Sequence, residues 1–179
     1  MRRDKNKAKE SAEKLGATKW YDIAPHSIDI MVYLLGKFIE VNGIATNNNN
    51  EYDVEDIVVM SFKTDKGIIG TANFNSLALD KMIIYGTKGK IEFGIHGNDA
   101  VIITTEHGEE RIEINNPKII QEDMIENVVE SLLTGEHLYT CSGREALETY
   151  RIMDTVLERY YNGRNDEFWN RKGTWNKNG

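Results

Sequence analysis

The sequence predicts an α+β domain built on a mainly antiparallel open sheet of about six strands, with helices on one face and the other face free for dimerisation. Three observations carry this. Ile28, Met31, Val32 and Leu35 recur at helical spacing. From Val54 to Ile114 the apolar period shortens to that of strands broken by short polar turns. Two more helical stretches close the chain, and strands in meander order followed by helices give this class.

Residues 1–15, MRRDKNKAKESAEKL, hold good helix formers with almost nothing large and apolar to bury, so we expect a basic, poorly packed segment before a domain over 16–179. Pro25 suits the first turn of the next helix, and Gly36 is placed to end it. Phe38 to Ala45 reads as a strand, and Asn47 to Asn50 as a loop. Val54–Phe62 and Gly67–Asn75 are joined by the turn Thr64-Asp65-Lys66-Gly67; Gly70, Ala72 and Phe74 alternate there with Thr71, Asn73 and Asn75, giving one small or apolar face and one amide-rich face. Met82–Tyr85 and Lys90–Phe93 flank Gly86-Thr87-Lys88-Gly89, and Val101–Thr105 pairs with Arg111–Ile114. Ile119 to Thr134 is helical with Ile120, Met124, Val128 and Leu132 inward and Gly135 as cap. The capping box Ser142-Gly143-Arg144-Glu145 opens a last helix with Ala146, Tyr150, Met153, Leu157 and Tyr160 inward. The aromatic tail 168–175 is expected to fold back on the body.

The chain's 179 residues suffice for one core, and no apolar run reaches the ~20 residues of a membrane helix. A net charge of −7 argues against a nucleic-acid surface, although residues 1–19 carry seven Lys/Arg against three Asp/Glu. Cys141 is the single cysteine, which excludes a disulfide framework and a thiolate metal cluster. Arg2-Arg3 is not followed by an apolar export segment, and we expect a cytoplasmic protein. Neither G-x-G-x-x-G nor a P-loop occurs, and Gly86–Gly89 joins strand to strand, leaving no helix N-terminus for a phosphate.

His26 is the one histidine set in a patterned element; His96, His107 and His137 fall in turns or loops. Asp22 lies one turn before His26 and Asp29 three residues after it, so a helix reaching back to Asp22 projects all three from one side, near the apolar stripe. A carboxylate beside an imidazole holds its tautomer and supports proton transfer near neutral pH. Asp22, His26 and Asp29 could also serve as an N/O metal set for a hydrolase, although catalytic zinc usually draws on more than one imidazole. A third reading is a non-enzymatic dimerisation or binding module.

Tyr21-Asp22-Ile23-Ala24-Pro25-His26-Ser27-Ile28-Asp29 is similar to the Asp-x-Gly-x-His segment, followed by a helix, of the C-terminal domain of the Gfo/Idh/MocA family of NAD(P)-dependent oxidoreductases. Tyr52-Asp53-Val54-Glu55-Asp56, Tyr85 to Phe93 and Ser142 to Ala146 resemble further family segments in the same order. The resemblance implies that His26 is the catalytic acid/base and that Asp22 contacts substrate hydroxyls and orients the imidazole; Asp29, on the same side of the helix, is a further substrate-binding candidate from its spacing, against a local capping or pairing role. It implies a sugar or polyol substrate and NAD or NADP in the parent enzyme, with no cofactor held by these residues; the homo-oligomer is expected on a separate ground, that a sheet face without helices meets solvent or a second copy of itself and two-fold assembly is the commonest oligomer. With the family's dinucleotide-binding half not among the 179 residues, the chain is expected to be inactive alone.

Overall fold

The computed structural model describes residues 19–48, 54–75, 80–97, 100–137 and 141–164. The basic segment 1–15, Asn49 and Asn50 of the asparagine run, and the aromatic tail lie outside the described residues. The elements run α1 (Lys19–Leu35), β1 (Phe38–Thr46), β2 (Ile57–Thr64), β3 (Ile69–Phe74), β4 (Met82–Gly86), β5 (Gly89–Phe93), β6 (Ala100–Thr105), β7 (Gly108–Glu113), α2 (Glu122–Thr134) and α3 (Gly143–Arg164). The α+β class and the antiparallel pairing stand as expected. Among the described residues there are seven strands, and they divide into a three-stranded sheet, β1-β2-β3, and a four-stranded sheet, β4-β5-β6-β7. The described residues likewise fall into two compact units, one drawn from within 1–78 and 144–179 and one from within 79–143.

In the first unit α1 starts six residues before Pro25, which therefore lies inside the helix and not in its first turn. Having no N–H, Pro25 gives nothing to the carbonyl of Tyr21. Gly36 ends the helix at φ +103° with its N–H on the Val32 carbonyl, 3.0 Å away. Trp20, Ala24, Ile28, Met31 and Leu35 form the buried stripe. Along β2, Val58, Met60, Phe62 and Thr64 are buried while Val59 and Ser61 face out. The register puts Gly43 and Ala72 beside Met60, and Phe74 beside Val58, on the covered face. Both helices meet that face: the Trp20 ring stands edge-on to Phe74 at 5.0 Å, and Val156 of α3 presses on Gly43. The Phe62 ring stacks on Phe38 at 4.1 Å and fills the space a side chain at position 70 would need. The opposite face presents Asn42, Ile44, Val59, Ser61, Thr71 and Asn73, with Ile44 75% exposed. Thus the alternation read along β3 does separate an apolar inner face from an amide-rich outer one.

In the second unit the turns fall where the glycines predicted them. Ile84, Ile91 and Ile103 lie in register across three strands. The Asp80 carboxylate accepts the backbone N–H groups of Ile95 and His96 at 2.9 and 2.7 Å. Gly135 caps α2 in the left-handed conformation, its N–H on the Ser131 carbonyl. The expected inward face of α2 is not covered: Ile120, Met124, Val128 and Leu132 are all exposed, and Ser131 is the residue of this helix that is buried. Periodicity reports a stripe, but not what lies against it. In α3, which belongs to the first unit, the buried stripe runs through Thr149, Ile152, Met153, Val156, Leu157 and Tyr161, leaving Tyr150 40% exposed where the sequence placed it inward.

Candidate functional site on the first helix

At 100° per residue the buried stripe of α1 centres between Trp20 and Ile28, and Asp22 and His26 fall about half a turn round from it. Both are exposed. The pair thus stands on the outer side of the helix, farther from the apolar stripe than the spacing alone suggested. The core contact of Trp20, two residues before Asp22, fixes the start of the helix on β3. Ser27, also buried, turns its hydroxyl back to the Ile23 carbonyl at 3.5 Å.

Asp29 has a different setting. It is half-buried, and its Oδ1 accepts the Thr149 hydroxyl of α3 at 3.3 Å, tying the two helices together. The three residues share one side of α1, but Asp29 is engaged in packing while Asp22 and His26 look outward. Among the described residues no group of three or more His, Cys, Asp and Glu side chains is disposed to hold a metal ion. Cys141 is exposed. No described helix is long and apolar enough to cross a membrane.

A groove of about 610 Å³ runs over the three-stranded sheet, lined by Asn42 and Ile44 of β1, Val59 and Ser61 of β2, Thr71 of β3 and Glu158 of α3 among others. Asp22, His26 and Asp29 are not part of it. The described residues offer no nucleotide cradle at Gly86–Gly89: the two glycines pair with each other across a turn between antiparallel strands.

Sequence reasoning missed a second group of ionisable residues. Glu55, just before β2, is 2% exposed and accepts a hydrogen bond from the Tyr161 hydroxyl of α3. Asp154 stands on α3 between the buried Met153 and Val156, and burial pushes its carboxyl up to about 6. Tyr21 lies within electrostatic reach of both carboxyls, its phenol raised first by burial and then by Asp154 and Glu55. An acid among apolar neighbours on the last helix was the available signal.

A sequence profile described as the GFO/IDH/MocA C-terminal domain matches residues 1–92, a span that ends in β5. Oxidoreductase P35 of Formosa agariphila is 33% identical over 143 residues, covering 78% of this chain and 43% of that protein. The aldose-aldose oxidoreductase of Caulobacter crescentus, solved with glycerol, superposes with a TM-score of 0.72 at 20% identity, over 83% of this chain and 47% of that one. An oxidoreductase of Agrobacterium radiobacter, solved with NAD+, L-tartaric acid and magnesium, gives 0.67 at 19% identity, over 81% and 47%. At these identities the two structures speak for the fold, and the chain spans less than half the length of each of the three relatives. The profile match, over more than half of the 179 residues, shows that the chain belongs to the Gfo/Idh/MocA oxidoreductase family and carries its C-terminal domain.

Proposed function

We propose that this chain is the substrate-binding and assembly domain of an NAD(P)-dependent oxidoreductase acting on a sugar or polyol. The observation that carries the reading is the placement of Asp22 and His26 one turn apart on the outward side of α1, with the helix anchored beneath them by Trp20. In this reading the imidazole of His26 takes the proton from a substrate hydroxyl during oxidation and returns it during reduction. Asp22 accepts hydrogen bonds from neighbouring hydroxyls and holds the imidazole in one orientation. Hydride exchange belongs to a nucleotide carried by another unit, and the two residues wait on the open side of the helix where such a unit can close over them. Asp29, held by Thr149, sets the spacing of α1 and α3. The outer face of the three-stranded sheet, with Ile44 and Val59 exposed, is the surface we assign to self-association.

Calorimetric titration of the purified chain with a panel of aldoses and polyols tests this. A matching sugar should bind weakly, and His26→Ala or Asp22→Ala should each weaken binding about tenfold, the loss of one hydrogen bond to a charged or polar partner. The unaltered chain should show no NAD(P)-dependent turnover. Turnover by these 179 residues alone, or sugar binding indifferent to both substitutions, would reject the assignment.

A further inference from the structure

The outer face of the three-stranded sheet holds opposite charges beside its apolar residues. Ile44, Val59 and Ile69 stand exposed on it, and Asn42, Ser61 and Thr71 line the groove that runs over it. Glu158 and Arg159 of α3 line the same groove. Successive residues on a helix do not face each other, so these two charges point apart. Arg159 is exposed, and no hydrogen bond or ion pair among the described residues holds its guanidinium. The chain as a whole carries −7, so two copies repel each other except where the surface is neutral. This face is neutral: Lys63 pairs with Glu40 across β1 and β2 at 3.3 Å, and Glu158 balances Arg159. Amides and hydroxyls both donate and accept, so a surface of Asn, Ser and Thr can bond to its own copy. Adjacent opposite charges share that property, because about a two-fold axis the first meets the second while the second meets the first. A strongly charged foreign partner finds nothing here to select it.

We propose that two copies of this chain meet on this face with Arg159 of each on Glu158 of the partner subunit, so that each groove is completed by the partner's α3. The inference rests on the proposed function for the choice of face, and adds the pair of residues that selects the partner. In the pair each guanidinium gains the carboxylate it lacks within its own chain, a match of planar donors to planar acceptors. Ile44, Val59 and Ile69 supply the apolar area, while the two ion pairs fix the register and reject surfaces without the same adjacent charges.

Analytical ultracentrifugation of the full chain over a range of concentrations tests this. The unaltered chain should self-associate, and Arg159→Glu or Glu158→Arg should each weaken the association at least tenfold, since the two-fold axis repeats every like-charge contact. An equimolar mixture of the two variants should recover it, because only in the mixed pair does each position meet its opposite. Ile44→Glu should abolish association, with or without the mixture. All three positions are exposed, so the variants keep the fold. Association that is lost in Ile44→Glu yet indifferent to both reversals keeps the face and overturns the pairing, as does a loss in the single variants that mixing fails to repair. Association that survives Ile44→Glu, or a chain that stays monomeric throughout, overturns the face and the pairing together. The sugar titration described above decides the rest of the proposed function separately, whichever of these is found.

Discussion

Trp20→Ala should destabilise the chain by about 4 kcal/mol, in the range measured for emptying a buried aromatic site. Trp20 is 1% exposed, and its ring meets Phe74 edge-on at 5.0 Å with the planes 87° apart, a geometry that adds to the area it buries. A domain of this size has roughly 5–15 kcal/mol in total, so the loss is a large fraction of the whole. The effect should reach the site as well as the fold. Trp20 is the first described side chain of α1 and the one that pins its start to β3; without it, the Pro25-weakened turn carrying Asp22 has no anchor on the sheet. Urea unfolding should therefore show a large fall in midpoint, and sugar binding should drop even at concentrations where the variant is folded. Trp20→Phe, which restores an aromatic ring against Phe74, should recover more than half of the stability. A cost below about 1 kcal/mol for the alanine variant would mean that α1 is seated by other contacts.

The same helix shows what the sequence disclosed and what it withheld. Ile28, Met31 and Leu35 declared an apolar stripe, and Gly36 its end, because helical period and left-handed backbone are local properties. The hairpins were legible for the same reason: Gly67 takes φ +79° and bonds back to the Thr64 carbonyl. Asp22 and His26 could be named as a pair because four residues on a helix fix their common side. That they stand about half a turn from the stripe follows only once the helix is known to begin at Lys19. Partition of the strands into two sheets was not legible, since alternation tells which side a residue faces but not where the ladder ends. Nor was the cluster around Glu55, whose hydrogen bond to Tyr161 joins positions 106 apart in the chain. The exposed apolar face of α2 is the sharpest mismatch between pattern and packing, for Leu132 and Leu133 are 80% and 82% exposed.

Gly43→Ala should cost about 3 kcal/mol, although alanine is otherwise the better residue within a strand. Space decides the sign. A Cβ at position 43 would lie 2.4 Å from Val156 Cγ1, 2.9 Å from the Val156 carbonyl oxygen and 3.1 Å from its Cα. A rotamer change can withdraw the methyl group, but two of the three obstacles are backbone, so α3 itself must back away from β1. Val156 is 1% exposed and its neighbour Leu157 is fully buried, which leaves the helix no slack on that side. Displacement of α3 would also strain the 3.3 Å bond from Thr149 to Asp29, and so pass from the sheet to the helix that bears His26. A double-mutant cycle with Val156→Ala separates the two contributions: the second substitution should relieve only the methyl contact, giving a coupling of about 1 kcal/mol and leaving most of the loss in place. Ile44→Ala, on the adjoining position of the same strand but 75% exposed in the single chain, should stay within about 0.5 kcal/mol when measured on dissociated protein. If Gly43→Ala proves as mild as Ile44→Ala, then α3 does not rest against β1 at this point, and its seat on the sheet must be sought elsewhere.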